Sequence, residues 1–250
     1  MSHFFEIFSA TDEWGKVHVM SDTDNYYLTF GEGGQQSGMQ INQPDRLMFQ
    51  YTQAMMLSLL FTPRAKSAIL LGLGAGSIAK SLLLSDENIT ITAVELRQKV
   101  EEIAHQWFDL PKSDRLKIEI GDAFAFIKNP RQRCDLLFVD LYLDNGVQDS
   151  MASHKFISQC YTALNNNGTL ILNLWDAGKG YLPFDLDYLE HTFISQSLQV
   201  VTDEGNIIVI IGKDFQADPH PRRLQGDAKK LAAKLDIPLQ RLLNQLQVRN

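Results

Sequence analysis

The stretch SAILLGLGAG, residues 67–76, constrains this 250-residue chain more than any other. Its first half is almost continuously apolar, a pattern a strand carries when both of its faces are covered, and it closes on glycines at 72, 74 and 76. Glycine at a strand-to-helix turn tolerates left-handed dihedrals and lets a ligand lie directly against the backbone. Such a strand belongs in the interior of a parallel sheet, and the following residues supply one. A helix from about Ser77 leads to the strand NITITAVEL, a helix from Gln98 to Phe108, the strand LKIEIGD and a short helix through Phe124 to Ile127. The strand CDLLFVDLY, a helix from about His154 to Leu164 and the strand GTLILNLW continue the alternation. This pattern predicts a mostly parallel sheet with helices on both faces. In QVVTDEGNIIVIIGKD two β-rich runs flank DEGN, a hairpin signal, so the sheet should end on an antiparallel strand.

The first 60 residues read differently. HFFEIF, KVHVMS and NYYLTFGE are short aromatic and β-branched runs between polar turns, which predicts a small antiparallel sheet of three or four strands. Pro44 and Asp45 open a helical segment whose apolar residues Leu47, Met48, Tyr51, Met55 and Leu59 recur at spacings of mainly three and four. Beyond about Leu224, DAKKLAAKL and PLQRLLNQLQ read as amphipathic helices. The expected division is a small β region with a lead-in helix over 1–60, a nucleoside-binding domain over 61–215 and a helical tail over 216–250. A net charge of -7 argues against a nucleic-acid partner, because phosphate neutralisation needs clustered Lys and Arg. No apolar run approaches the roughly 18 residues of a membrane helix, and the N-terminus lacks the features of a secretory signal. A cytoplasmic protein without membrane contact is expected. Cys134 and Cys160 sit in apolar patterns, the six histidines are scattered, and no metal-ligand spacing occurs, so no metal is expected.

Four strand ends carry the candidate chemistry. The turn Gly72-Leu73-Gly74-Ala75-Gly76 is followed by Ser77, where a dinucleotide fingerprint needs glycine or alanine, so GxGxG suits a nucleoside without a pyrophosphate. Glu95, followed by Leu96, ends the second strand, where a carboxylate can accept both ribose hydroxyls. Asp122, followed by Ala123, ends the third strand, where it can accept the adenine amine or cap the next helix. Asp140 ends the fourth strand in front of the apolar wall Leu136–Val139, so desolvation should raise its pKa toward that of a useful general base. Tyr142, Trp175 and Asp176 could rim an acceptor pocket, whereas Trp14 reads as turn packing and Trp107 as core.

These segments together resemble the spermidine synthase (polyamine aminopropyltransferase) family over about residues 15–212. The glycine turn, VEL, GDA and CDLLFVD fall where that family has its cofactor and catalytic motifs, and QQSGMQINQPDRLMFQYTQAM is similar to its pre-domain segment. The resemblance implies an S-adenosylmethionine (AdoMet) methyltransferase-type, Rossmann-like α/β fold with seven strands, the last antiparallel, plus a small N-terminal β-sheet. It implies AdoMet or decarboxylated AdoMet as donor, methylthioadenosine as product, a small amine as acceptor and a homodimer. Gln36 and Tyr51 match a Gln and a Tyr that face the family's active site; Asp140 and Tyr51 would help deprotonate the attacking amine. The sequence departs from the pattern at four amine-recognising positions, occupied here by Ala75, Leu143, Thr52 and Gln53, with Asp144 one residue beyond the second carboxylate position. Three activities are therefore weighed: aminopropyl transfer, methyl transfer on the same scaffold, and nucleoside binding without catalysis.

Overall fold

The computed structural model of the chain describes residues 4–31, 35–129, 133–143, 146–147, 151, 153–175, 184–213 and 221–249. Strands β1 (Phe5–Asp12), β2 (Gly15–Ser21), β3 (Asn25–Phe30) and β4 (Gln35–Gln40) form an antiparallel sheet in sequential order. Gly15, at φ +105°, closes the tight β1–β2 turn. The inward side chains of this sheet, among them Val17, Val19, Leu28 and Met39, pack with Val100, Ile103 and Phe108 of the following layer.

Two short helices, α1 (Gln50–Met55) and α2 (Ser58–Phe61), lead into the α/β layer. Helix α1 starts later than Pro44 and Asp45 predict, because the carbonyls before it are engaged elsewhere. Lys80 Nζ donates to the Pro44 carbonyl at 2.7 Å and Gln53 Nε2 to that of Leu47 at 2.8 Å. Its first amides are satisfied from far along the chain. The Glu204 carboxylate accepts Gln50 N–H at 2.9 Å and Tyr51 N–H at 3.1 Å, a favourable anion at a helix N-terminus.

The layer then alternates through β5 (Ser67–Leu71), α3 (Ser77–Ser85), β6 (Thr90–Glu95), α4 (Gln98–Trp107), β7 (Leu116–Ile120), α5 (Ala123–Lys128) and β8 (Cys134–Val139). A small hairpin, β9 (Tyr142–Leu143) with β10 (Gly146–Val147), precedes α6 (His154–Ala163) and β11 (Leu164–Trp175). The chain ends through α7 (Leu186–Phe193), β12 (Leu198–Val201), β13 (Asn206–Gly212), α8 (Pro221–Leu235), α9 (Leu239–Gln245) and β14 (Gln247–Val248). The sheet order is β14-β12-β13-β11-β8-β5-β6-β7. Strand β13 inserts antiparallel between β11 and β12, as the hairpin signal required. The eighth strand, β14, lies in the tail read as helical. It pairs with β12 and is anchored by Arg249, whose amide reaches Ser197 and whose guanidinium binds Glu190 and Asp187.

The apolar run of β5 is explained by what covers it. Ala68 and Leu70 face a core shared with α1, α3, α8 and α9, while Ile69 and Leu71 face a second core closed by α5, α6 and α7. Among the described residues no helix is long and apolar enough to cross a membrane.

Lys80, 4% exposed on α3, fastens the lead-in segment to the layer. Its ammonium also donates to the Phe108 carbonyl at 2.7 Å, and burial holds its pKa below the usual lysine value. Lys80→Met should lower the unfolding free energy by about 2–4 kcal/mol, because two carbonyls lose their donor. Urea denaturation, compared at equal m-value, measures the loss.

Candidate active site

The glycine turn leaves β5 at the carboxyl edge of the sheet, and all three of its glycines have positive φ: Gly72 +97°, Gly74 +54° and Gly76 +78°. Their lack of a side chain matters as much as their dihedrals. A Cβ on Gly72 would run into the Asp140 carbonyl oxygen, and one on Gly74 would stand 2.6 Å from Ser37 Oγ. The turn is thus pressed between the tip of β8 and the N-terminal sheet. Asp140 N–H donates to the Leu71 carbonyl at 2.9 Å, which keeps the two strand tips in register.

Glu95 ends β6 and is 7% exposed. Its carboxylate accepts the Leu73 N–H at 3.1 Å and the Arg97 N–H at 3.0 Å, so it braces the glycine turn from beneath. Burial pushes its pKa above the ordinary carboxylate value, against the opposing backbone N–H groups of Arg97, Leu73 and Gly74. Asp122 accepts Phe124 N–H at 2.8 Å and so caps α5, with Ala123 buried beside it. Leu96, Asp122 and Phe124 line a cavity of about 430 Å3, together with Trp14, Phe156 and Gln159. That volume falls in the range of about 300–1,000 Å3 common to small-molecule sites.

Asp140 is partly buried, and desolvation raises its pKa to about 6 although Asn173 Nδ2 donates to it at 2.8 Å. Asn173 is 1% exposed on β11 and in turn accepts Asn206 Nδ2 at 2.9 Å. This fixed pair of amides holds the carboxylate from behind. Trp175, the last residue of β11, is exposed near Gly205 in the β12–β13 turn. Tyr51 donates its hydroxyl to the Gln36 carbonyl at 3.2 Å, and its amide is held by Glu204 of that same turn.

Ala75 has its methyl in the apolar cluster of Val17, Leu28 and Phe108, and its amide donates to Ser37 Oγ at 3.3 Å. A carboxylate at this position would be buried among hydrocarbon side chains. The structure thus connects Gln36, Tyr51, Gly72, Gly74, Ala75, Glu95 and Asp140 through direct contacts or a single intervening residue. Tyr142 begins β9, whereas Asp144 and Asp176 lie outside the described residues. Among the described residues no three His, Cys, Asp or Glu side chains converge as a metal would require.

Three residues at this edge escaped the sequence reading. Asn173 left a signal, being the one polar side chain within LILNLW. Ser37 and Trp14 left none, because each acquires its place through contacts with distant segments. Trp14, read as turn packing, is instead 47% exposed and faces the cavity. Gly72→Ala should cost about 2 kcal/mol or more, since the added methyl meets both a left-handed dihedral and the Asp140 carbonyl. Thermal and urea unfolding of the variant give the value.

Comparison with known proteins bears on what this arrangement is for. Residues 48–174 match the spermine/spermidine synthase domain. The polyamine aminopropyltransferase of Neisseria meningitidis serogroup A is 28% identical over 244 residues, covering 96% of this chain and 92% of that protein. A probable spermidine synthase from Corynebacterium glutamicum superposes with a TM-score of 0.69 at 17% identity, over 100% of this chain and 91% of the other. Human methyltransferase-like protein 13, solved with SAH, superposes with a TM-score of 0.64 at 23% identity, over 76% and 94% of the two chains. The domain match spans just over half of the chain, which therefore belongs to the spermine/spermidine synthase family.

Proposed function

We propose that the chain transfers an aminopropyl group from a decarboxylated AdoMet donor to a small amine, with methylthioadenosine as the second product. The observation that carries this reading is Asp140, a desolvated carboxylate with a pKa near 6, set against the glycine turn and held by Asn173. The donor supplies a sulfonium-activated carbon. The chain's own residues must hold the nucleoside, exclude water and free a nitrogen lone pair.

Glu95 and the amides of the glycine turn would hold the ribose, and the cavity beside Asp122 and Leu96 would take the adenine. An alkylammonium group entering a desolvated pocket has its pKa lowered toward neutrality. Asp140, ionised above about pH 6, would accept its proton, while Tyr51 orients the amine. The neutral nitrogen then attacks the carbon next to sulfur, forming the C–N bond as the C–S bond breaks.

A second reading, methyl transfer from AdoMet itself, draws support from Ala75. Its methyl lies among Val17, Leu28 and Phe108, which leaves no carboxylate there to bind the free amine of a decarboxylated donor. Calorimetric titration with AdoMet, decarboxylated AdoMet and methylthioadenosine separates the readings when followed by incubation with putrescine, cadaverine or spermidine. Tight binding of the decarboxylated donor with methylthioadenosine release supports aminopropyl transfer. Preference for AdoMet with adenosylhomocysteine as product moves the assignment to methyl transfer, and nucleoside binding without turnover would overturn both.

Asp140→Asn should reduce turnover by about 100-fold or more. It should leave methylthioadenosine affinity within about tenfold, or 1.4 kcal/mol. A collapse of affinity would place Asp140 on the donor side instead. For the wild type, kcat/KM should rise with pH until Asp140 ionises, levelling above about pH 6. The amide of Asn173 favours the ionised form, so Asn173→Ala should move this acidic limb to higher pH. At neutral pH it should slow the reaction by about tenfold, the worth of one hydrogen bond to a charged group.

A further inference from the structure

We propose that Trp14 is a base-stacking wall of the nucleoside cavity, and that Asp12 and Arg97 are the positioning residues that hold it there. The inference rests on the reading of this cavity as the adenosyl site and adds to it a residue from outside the α/β layer. The indole is 47% exposed at the edge of the cavity that also contains Leu96, Asp122 and Phe124. A large aromatic left half in water on a two-residue turn has little core to fill. Trp107 shows the contrast, packing against Phe8 and Tyr26 at centroid distances of 5.8 and 6.0 Å.

The turn that carries Trp14 is gripped on several sides. Trp14 N–H donates to Asp12 Oδ1 at 2.9 Å. Arg97 is 5% exposed and binds Asp12 through two donors, Nε to Oδ2 at 3.0 Å and a terminal nitrogen to Oδ1 at 2.8 Å. The same terminal nitrogen reaches the Gly15 carbonyl at 2.8 Å, and the guanidinium lies 5.0 Å from the centre of the Phe30 ring. Fork geometry of this kind fixes direction as well as distance. Burial alone would raise the Asp12 carboxyl, yet Arg97 and the turn amides hold it below the ordinary carboxylate range.

Arg97 is also the residue whose backbone N–H braces Glu95. One three-residue segment, 95–97, therefore holds the glycine turn at one end and the Trp14 turn at the other. The ligand chemistry that fits is a flat aromatic base. Stacking would be tolerant of base identity, leaving discrimination to polar groups such as Asp122.

Methylthioadenosine titrated calorimetrically into wild type, Trp14→Ala, Trp14→Phe, Asp12→Asn and the double variant Trp14→Ala/Asp12→Asn tests this, with melting curves confirming that each is folded. Loss of one stacked base contact predicts weakening by about tenfold to a hundredfold for Trp14→Ala, and Trp14→Phe should recover most of it. Asp12→Asn should weaken binding in the wild-type background and have no further effect when Trp14 is already alanine, as expected if it acts through the indole. Equal affinity of wild type and Trp14→Ala would overturn the wall while leaving the adenosyl site standing. An Asp12→Asn effect of the same size in both backgrounds would overturn the positioning role. Absence of methylthioadenosine binding to the wild type would remove the adenosyl reading and this inference together.

Discussion

A carboxylate taken out of water must be met by donors, and Glu95 meets them in the backbone of the turn it supports. This arrangement shapes the whole carboxyl edge of the sheet. With Leu73 and Arg97 drawn to the same side chain, the turn after β5 and the start of α4 cannot move independently. The glycines then permit what the carboxylate demands, a backbone in left-handed conformation running close over Asp140 on one side and Ser37 on the other. A ligand competing for Glu95 would enter a site already rigid around it.

The N-terminal sheet gains its meaning from this edge. Ser37 touches the turn, Gln36 receives the Tyr51 hydroxyl, and the β1–β2 turn is tied to Arg97. A four-stranded sheet must cover its apolar face, and here it shares an apolar cluster with α4 and with Ala75. Packing and site formation are the same event at this interface. The alanine within the glycine turn belongs to that core, which explains how a position adjoining a proposed ligand site can be wholly apolar.

Much of the fold was legible because its signals are periodic and local. The buried-strand run at 67–71, the alternation after it and the hairpin at 198–212 each follow from side-chain patterning within a short window. Glu95, Asp122 and Asp140 were legible for a related reason: a strand's end can be read from where its apolar run stops. What escaped depends on partners far along the chain. The start of α1 is set by Lys80 and Glu204, β14 by Arg249 meeting Ser197 and Glu190, and the β1–β2 turn is tied down by Arg97. Asn173 stood in plain view within its apolar strand, but its purpose became readable only with Asp140 opposite it.

The capping of α1 by Glu204 ties the order of synthesis to the completion of the site. Tyr51 leaves the ribosome early, yet the carboxylate that receives its amide emerges some 150 residues later. Until the β12–β13 turn has formed, the short helix bearing this tyrosine lacks both its anion and the strand it packs against. A nascent chain could thus pair β5 to β8 before the turn that caps α1 exists, and a late-emerging part of the sheet secures a helix made well before it.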